Sequence, residues 1–403
     1  MPESQTHLMN NYRRLPISFA HGDGAWLYDH KGDAYLDAIS GVGVCNLGHC
    51  HPNITAAICR QAATLLHSSN LYHIELQQKL ATELAAIAGM ESSFFCNSGA
   101  EANEAAIKLA KLHGHKRGIQ TPHILVMEGS FHGRTMATLS ATASRKVQAG
   151  FEPLVPGFVR APFNDIAALR TIAENNPNVC AILVEPIQGE GGVNIPSPTY
   201  LTELRTLCDT YQWLMMLDEV QTGNGRTGKY FAYQHENIHP DIVTTAKGLG
   251  NGLPIGVCLA QGAAAQLFKP GHHGSTFGGN PLVCATALSV IETLFNDSLI
   301  ERAQRLGHYL LQGFKDILEG SDYIEAIRGK GLMIGIVMKE PCPELVELAL
   351  GQKLLINVTA DRVIRLLPPL TLSDEEAEII LKKVCKLIKT YAGDDRSRPR
   401  QVR

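Results

Sequence analysis

Asp218 and Lys247 stand where this chain could do chemistry. Asp218 closes the apolar run 213–217 and opens Asp218-Glu219-Val220-Gln221-Thr222-Gly223, while Lys247 closes the short run 241–246 and opens the turn Gly248-Leu249-Gly250-Asn251-Gly252. The run 213–217 is apolar throughout and reads as a strand covered on both faces, 241–246 reads as a second short strand, and ligands of open α/β sheets sit at the carboxyl ends of the strands. Both side chains would then face one crevice. Taken singly, Asp218 reads equally as a turn cap and Lys247 as one solvated lysine among many.

Taken together they have a chemical use. An amine can hold an aldehyde cofactor as a Schiff base, and a carboxylate beside a pyridine nitrogen keeps it protonated, which makes the ring an electron sink. The pair points to pyridoxal 5'-phosphate. Further along, Asn97-Ser98-Gly99-Ala100-Glu101 precedes an alanine-rich helix, so free amides and the helix dipole converge at Ser98, Gly99 and Ala100, as a phosphate requires; an ordinary N-cap is the alternative. Phe131, after the strand 124–127, could stack on a cofactor ring, and Arg134 could take a carboxylate; as plain structure they would be a core residue and a surface ion-pair partner. Glu190, in the glycine-rich loop 186–192 after the strand 179–185, is free to reach the crevice. Ser275 and Thr276, in a loop entering a helix, offer hydroxyls to a phosphate, and Ser275 is also counted with the substrate residues. Arg365 lies in the otherwise apolar strand 363–366, where an unpaired charge is costly, so it should face an anion.

The elements that must position these residues follow from periodicity. A hairpin is expected at 26–29 and 34–37, a helix from Pro52 with apolar spacing to Leu65, and a second helix at 75–88. Alternating strands and helices then follow to Lys247, with a helix at 200–211. A long helix is expected over 281–320, then strands at 323–328, 332–337, 354–358 and 363–366, and a last helix at 374–391. This reads as α/β: a large domain with a mostly parallel sheet of the seven-stranded type flanked by helices, plus a smaller α+β domain from both chain ends. The expected divisions are 1–56 (arm and meander, part of the small domain), 57–285 (large domain), 286–392 (small domain) and 393–403 (disordered tail).

Composition narrows the partners. A net charge of −3 gives no basic field for nucleic acid, and no apolar run reaches a membrane span. The start Met1-Pro2-Glu3-Ser4-Gln5 resembles neither a signal nor a transit peptide, so the expected compartment is the cytoplasm. The ten cysteines are scattered without CxxC spacing and read as reduced thiols; Gly48-His49-Cys50-His51-Pro52 lacks a partner cluster, so no metal site is expected.

From about residue 20 to residue 391 the chain resembles the class III, or ω-amino, pyridoxal-phosphate aminotransferases of fold type I. The resemblance is carried by Asn97-Ser98-Gly99-Ala100-Glu101-Ala102, Phe131-His132-Gly133-Arg134-Thr135, Glu185-Pro186-Ile187-Gln188-Gly189-Glu190-Gly191-Gly192, Asp218 to Gly223, Lys247-Gly248, and Thr276-Phe277-Gly278-Gly279-Asn280-Pro281. It implies that Lys247 holds the cofactor and carries the proton, Asp218 pairs with the ring nitrogen, Gln221 meets the ring hydroxyl, Phe131 and Val220 sandwich the ring, and Ser98, Gly99 and Ala100 cup the phosphate. It further implies that Thr276 completes that cup in a neighbouring subunit, hence a homodimer with shared active sites. Arg134 and Arg365 would hold substrate carboxylates, with Glu190 masking Arg365 in one half-reaction.

Within the family, Val42 stands where the branch acting on free ornithine has a tyrosine, and 355–359 and 364–370 look like the branch acting on N2-acetylornithine. The implied reaction moves the δ-amino group of N2-acetylornithine to 2-oxoglutarate in arginine biosynthesis, with succinyldiaminopimelate as a second donor. Rival readings are a 4-aminobutyrate or ornithine aminotransferase, and a catalytically silent binding or regulatory subunit. Asn224 departs from the apolar residue the family has after Gly223.

Overall fold

The computed structural model describes residues 7–393. The expected tail, apart from Gly393, lies outside the described residues.

A seven-stranded sheet organises the molecule, in the order Ser92–Cys96, Gly256–Ala260, Ile242–Thr245, Leu214–Asp218, Val179–Val184, His123–Met127, Phe158–Ala161. Gly256–Ala260 runs antiparallel to both its neighbours, and the remaining pairs are parallel. The central strands are buried at every position because helices cover both faces. Alternation then sends successive side chains into two cores. Leu125, Met127, Ile182, Val184, Met215, Leu217 and Val243 join one. Ile124, Val126, Ala181, Leu183, Leu214, Met216 and Ile242 join the other, under the helix Gly99–Lys116. Both cores are apolar, so the carboxyl ends of the strands are where polar chemistry can emerge. Asp218 pairs with Thr244 in register, which brings Glu185, Asp218 and Lys247 out at one edge.

Two four-stranded sheets complete the fold. Phe19–Asp23, Trp26–Asp29 and Ala34–Asp37 form the meander, and Leu354–Leu355 joins it in parallel. Ile324–Lys330, Met333–Met338, Val363–Leu366 and Asn357–Thr359 form the other.

Three expectations are corrected. The single strand at 354–358 divides at Ile356: Leu354 pairs with Leu36 of the meander, whereas Asn357 pairs with Arg365 of the other sheet, so the segment bridges two sheet edges. The helix expected over 281–320 is two helices, Pro281–Asn296 and Leu299–Leu318, bent by 63°. The break falls at Asp297-Ser298, polar residues that favour turns over helix interiors, with Ser298 at φ +51°. The first helix ends at Ala62, so Leu65 lies beyond it and is exposed. Among the described residues no single helix is long and apolar enough to cross a membrane.

Candidate active site

At the sheet edge a cavity of about 440 Å³ is lined by Ser98, Gly99, Ala100, Asn103, Phe131, His132, Arg134, Glu185, Glu190, Asp218, Val220, Gln221 and Lys247, among others. Residues far apart in the chain meet here because parallel strands deliver them to a common edge.

Asp218 is held by three hydrogen bonds. Its Oδ2 accepts from Asn103 Nδ2 at 2.7 Å and faces His132 Nδ1 at 2.8 Å. A carboxylate can only accept, so this histidine nitrogen carries the proton. Oδ1 accepts from the Val220 amide at 3.1 Å and keeps a further lone pair free. Asn103 is fixed in turn, donating to His132 O at 2.9 Å and accepting from the Thr244 hydroxyl at 2.7 Å. Neither Asn103 nor His132 stands out as a site residue in the sequence. The available signal was a buried asparagine inside an alanine-rich helix, which is costly unless its amide is fully bonded.

Lys247 follows its strand at φ +44°, a conformation that non-glycine residues rarely adopt. Burial draws its ammonium below the ordinary lysine range and Arg365 adds to this, against the opposing pull of Glu190, Asp218 and Glu185.

The helix Gly99–Lys116 begins beside them. Ser98 is its N-cap, accepting from Glu101 N at 3.2 Å, and Ala102 N bonds Ser98 O, so the Gly99 and Ala100 amides have no intrahelical acceptor. A Cβ on Gly99 would come within 2.7 Å of both Val220 methyl groups. The site therefore needs glycine there to let backbone approach the ring-face residue. Phe131 is half-buried with the exposed Arg134 guanidinium 5.3 Å from its ring centroid.

Arg365, 1 % exposed, answers the expectation of a partner anion. Its Nη1 donates to Glu190 Oε1 at 2.6 Å and Gln221 Oε1 at 3.0 Å, and its Nη2 to Asn357 Oδ1 at 2.8 Å. Burial pushes Glu190 upward, but the Arg365 charge and hydrogen bond outweigh it and hold the carboxyl below its usual value. The Glu190 loop is anchored from outside by Arg328, which donates to Gly192 O at 2.9 Å and Asn194 Oδ1 at 2.6 Å, and by Thr359, which donates to Glu190 O at 2.5 Å.

Glu185 directly follows the strand Val179–Val184. Its two oxygens accept from the Phe131 amide at 3.0 Å and the Gly189 amide at 3.2 Å, tying the ring-face loop to the Glu190 loop. Burial raises its carboxyl above the ordinary range, and the charge of Asp218 adds to the rise.

Ser275 and Thr276 are not brought to this cavity. They line a neighbouring one with Asn97, Glu101 and Phe277, where Ser275 Oγ accepts from Gly278 N at 3.0 Å and Asn97 Nδ2 at 3.2 Å.

An amine, a carboxylate held by three hydrogen bonds with one lone pair open, free helix amides against a glycine cradle, and two guanidinium groups are the donor set of a pyridoxal-phosphate site. The chain belongs to the class-III aminotransferase family, whose model matches residues 8–388. It is 54 % identical over 383 residues to an acetylornithine aminotransferase of Nitrosomonas europaea, covering 95 % of this chain and 98 % of that one. Among solved structures it is similar to the ornithine aminotransferase of Toxoplasma gondii (TM-score 0.93, 34 % identity, 96 % and 94 % of the two chains). It is also similar to an acetylornithine aminotransferase of Elizabethkingia anophelis (TM-score 0.85, 34 % identity, 95 % and 96 %).

Proposed function

We propose that this class-III aminotransferase uses pyridoxal 5'-phosphate to move the δ-amino group of N2-acetylornithine to 2-oxoglutarate, a step of arginine biosynthesis. The observation that carries the reading is the meeting of Lys247, the triply ligated Asp218 and the Arg365–Glu190 pair in one cavity. When bound, the cofactor supplies an electron-poor ring that accepts an amino group and gives it back. Lys247 Nζ would hold it and, once displaced, carry the proton; its lowered affinity for protons suits that task. The free lone pair of Asp218 Oδ1 would keep the ring nitrogen protonated, with Asn103 and His132 holding the carboxylate in place. Ser98, Gly99 and Ala100 would cup the phosphate, Phe131 and Val220 would cover the two ring faces, and Gln221 would reach the ring hydroxyl.

For the substrates, Arg134 and Arg365 are the cations that would take carboxylates, and Ser275 is the remaining substrate candidate. Glu190 occupies Arg365 in this structure. That arrangement fits the half-reaction in which no second carboxylate needs it; swinging Glu190 away would open Arg365 to glutamate. Val42 packs against Ile187, Val193, Met333 and Leu367, an apolar setting that favours an acylated over a charged α-nitrogen. The 54 % identity to a relative named for acetylornithine supports the same donor, and succinyldiaminopimelate is proposed as a second one.

The reading extends to a homodimer in the cytoplasm with shared active sites. Leu66, Leu71, Tyr72 and Phe277 are exposed around the Ser275-Thr276 loop, and an apolar patch beside a half-built phosphate cup favours a second copy as its cover. The proposed division into a central unit, 57–285, and a smaller unit from both chain ends is supported by the parallel pairing of Leu354–Leu355 with the meander.

The test is an absorbance spectrum of the purified protein titrated with N2-acetylornithine and then 2-oxoglutarate, beside Lys247→Ala. A visible cofactor band that bleaches with the donor and returns with the oxoacid, absent from the variant, is expected. Bleaching by 4-aminobutyrate or ornithine but not by acetylornithine would overturn the substrate, and no band at all would overturn the reaction.

A further inference from the structure

Asn224 lies in the loop between Asp218 and Gly228, a polar residue where an apolar one is expected. It is 1 % exposed and lies at φ +57°, a conformation asparagine tolerates better than most residues. A backbone requirement alone would account for that. The side chain does something else: Nδ2 donates to Ala246 O at 3.1 Å and to Thr245 Oγ1 at 3.0 Å. The amide orientation follows from its neighbours, because a carbonyl can face only the NH2 end.

Ala246 O belongs to the peptide plane whose nitrogen is that of Lys247, so whatever holds this carbonyl also fixes φ of Lys247. That φ is +44°. If it relaxed to the ordinary negative range, the Cα–Cβ bond of Lys247 would swing away from the cavity. Two donors saturate the carbonyl, Leu249 N at 3.0 Å from the following turn and Asn224 Nδ2 from across the loop. Of the two, Leu249 moves with Lys247, whereas Asn224 is anchored elsewhere. Its own carbonyl accepts from Asn46 Nδ2 at 3.0 Å, and Asn46 Oδ1 accepts from Arg226 Nη2 at 2.7 Å. Arg226, with no exposed surface, donates through Nη1 to Leu332 O at 3.0 Å and to Pro368 O at 2.5 Å, three residues past Arg365.

We infer that Asn224 is a positioning residue that clamps the Ala246–Lys247 peptide plane and so aims the lysine into the cavity. The inference rests on the reading of Lys247 given above. An apolar residue at 224 would leave the carbonyl with its local donor only.

The test uses the full-length protein with pyridoxal phosphate. Asn224→Gly keeps the positive φ and removes the clamp, Asn224→Asp keeps the shape and sets an acceptor against the carbonyl, and Thr245→Val removes only the other acceptor. Hydrogen exchange at Leu249 and the dissociation constant of the cofactor are measured for each. Both Asn224 variants should exchange about tenfold faster and hold the cofactor about tenfold more weakly, the loss expected for one buried hydrogen bond, while Thr245→Val stays within about twofold of the parent. If Asn224→Gly fails to unfold cooperatively, the Asp variant decides. Parent-like exchange and affinity in the Asn224 variants, or an equal loss in Thr245→Val, would overturn the inference. Failure of the underlying reading shows separately: borohydride trapping and peptide mapping of the parent would then find the cofactor attached elsewhere than Lys247.

Discussion

Glu219→Gln should stabilise this protein at mildly alkaline pH and flatten its response to pH. Glu219 has no exposed surface; its Oε1 accepts from Tyr233 N at 2.9 Å and its Oε2 from the Thr222 hydroxyl. Burial raises its carboxyl from 4.5 to about 7, more than the bonds from Thr222, Ala232 and Tyr233 pull it back, and the charge of Asp218 adds to the rise. The difference of about 2.5 units, at about 1.4 kcal/mol each, corresponds to roughly 3 kcal/mol. The sign follows from proton counting. Between pH 4.5 and 7 the folded protein keeps a proton that the unfolded chain releases, so this contribution is full below about 4.5 and is lost as pH rises through about 7. Glutamine imitates the protonated acid and can satisfy both neighbours, its oxygen accepting from Tyr233 N and its NH2 donating to Thr222 Oγ. The variant should therefore match the parent near pH 4.5 and exceed it by up to about 3 kcal/mol at pH 8. Urea midpoints for both proteins at pH 5, 6, 7 and 8, at one cofactor concentration, measure this. Superimposed pH profiles, or a variant weaker than the parent at pH 8, would refute the reasoning.

Three further outcomes are expected. Arg226→Met strips the donor from Leu332 O, Pro368 O and Asn46 Oδ1 together, and at about 1–3 kcal/mol per stranded buried group it should cost at least roughly 3 kcal/mol, read from the urea midpoint. His49, 2.8 Å from the buried Asp37 carboxylate, is raised by that hydrogen bond to about 10, so its stabilising charge is complete below about pH 6.5 and lost through pH 10; His49→Gln should cost about 2 kcal/mol at pH 7 and little at pH 10 by the same assay. Arg365→Lys replaces a fork bonded to Glu190, Gln221 and Asn357 by a point charge, and should raise KM for glutamate by about tenfold or more while cofactor binding stays as in the parent, measured by stopped-flow absorbance of each half-reaction.

What could be read in the sequence and what could not divides along physical lines. Strands buried on both faces are mostly apolar, so the place where polarity returns is written locally: Asp218 ends the run Leu214–Leu217 and the Glu190 loop follows the apolar strand Val179–Val184, whereas Lys247 follows Ile242–Thr245, whose last two residues are buried threonines. Arg365 was legible for the converse reason, a charge inside an apolar strand that cannot stay unpaired. Asn103 and His132 give no such local sign. Their significance is a pair of hydrogen bonds to a carboxylate 115 and 86 positions away, and it exists only once the helix Gly99–Lys116 lies over the strand ends. The same holds for the breaks the sequence concealed. Ile356 looks like the middle of one strand because each half of 354–358 suits a sheet; only the two separate partners, Leu36 and Arg365, reveal that the sheets differ. Local pattern thus states which residues must find partners, and topology decides which partners they find. Asn224 lies between these cases: its type was visibly odd, but its use depends on a carbonyl 22 positions away, beside the one lysine that the chemistry requires.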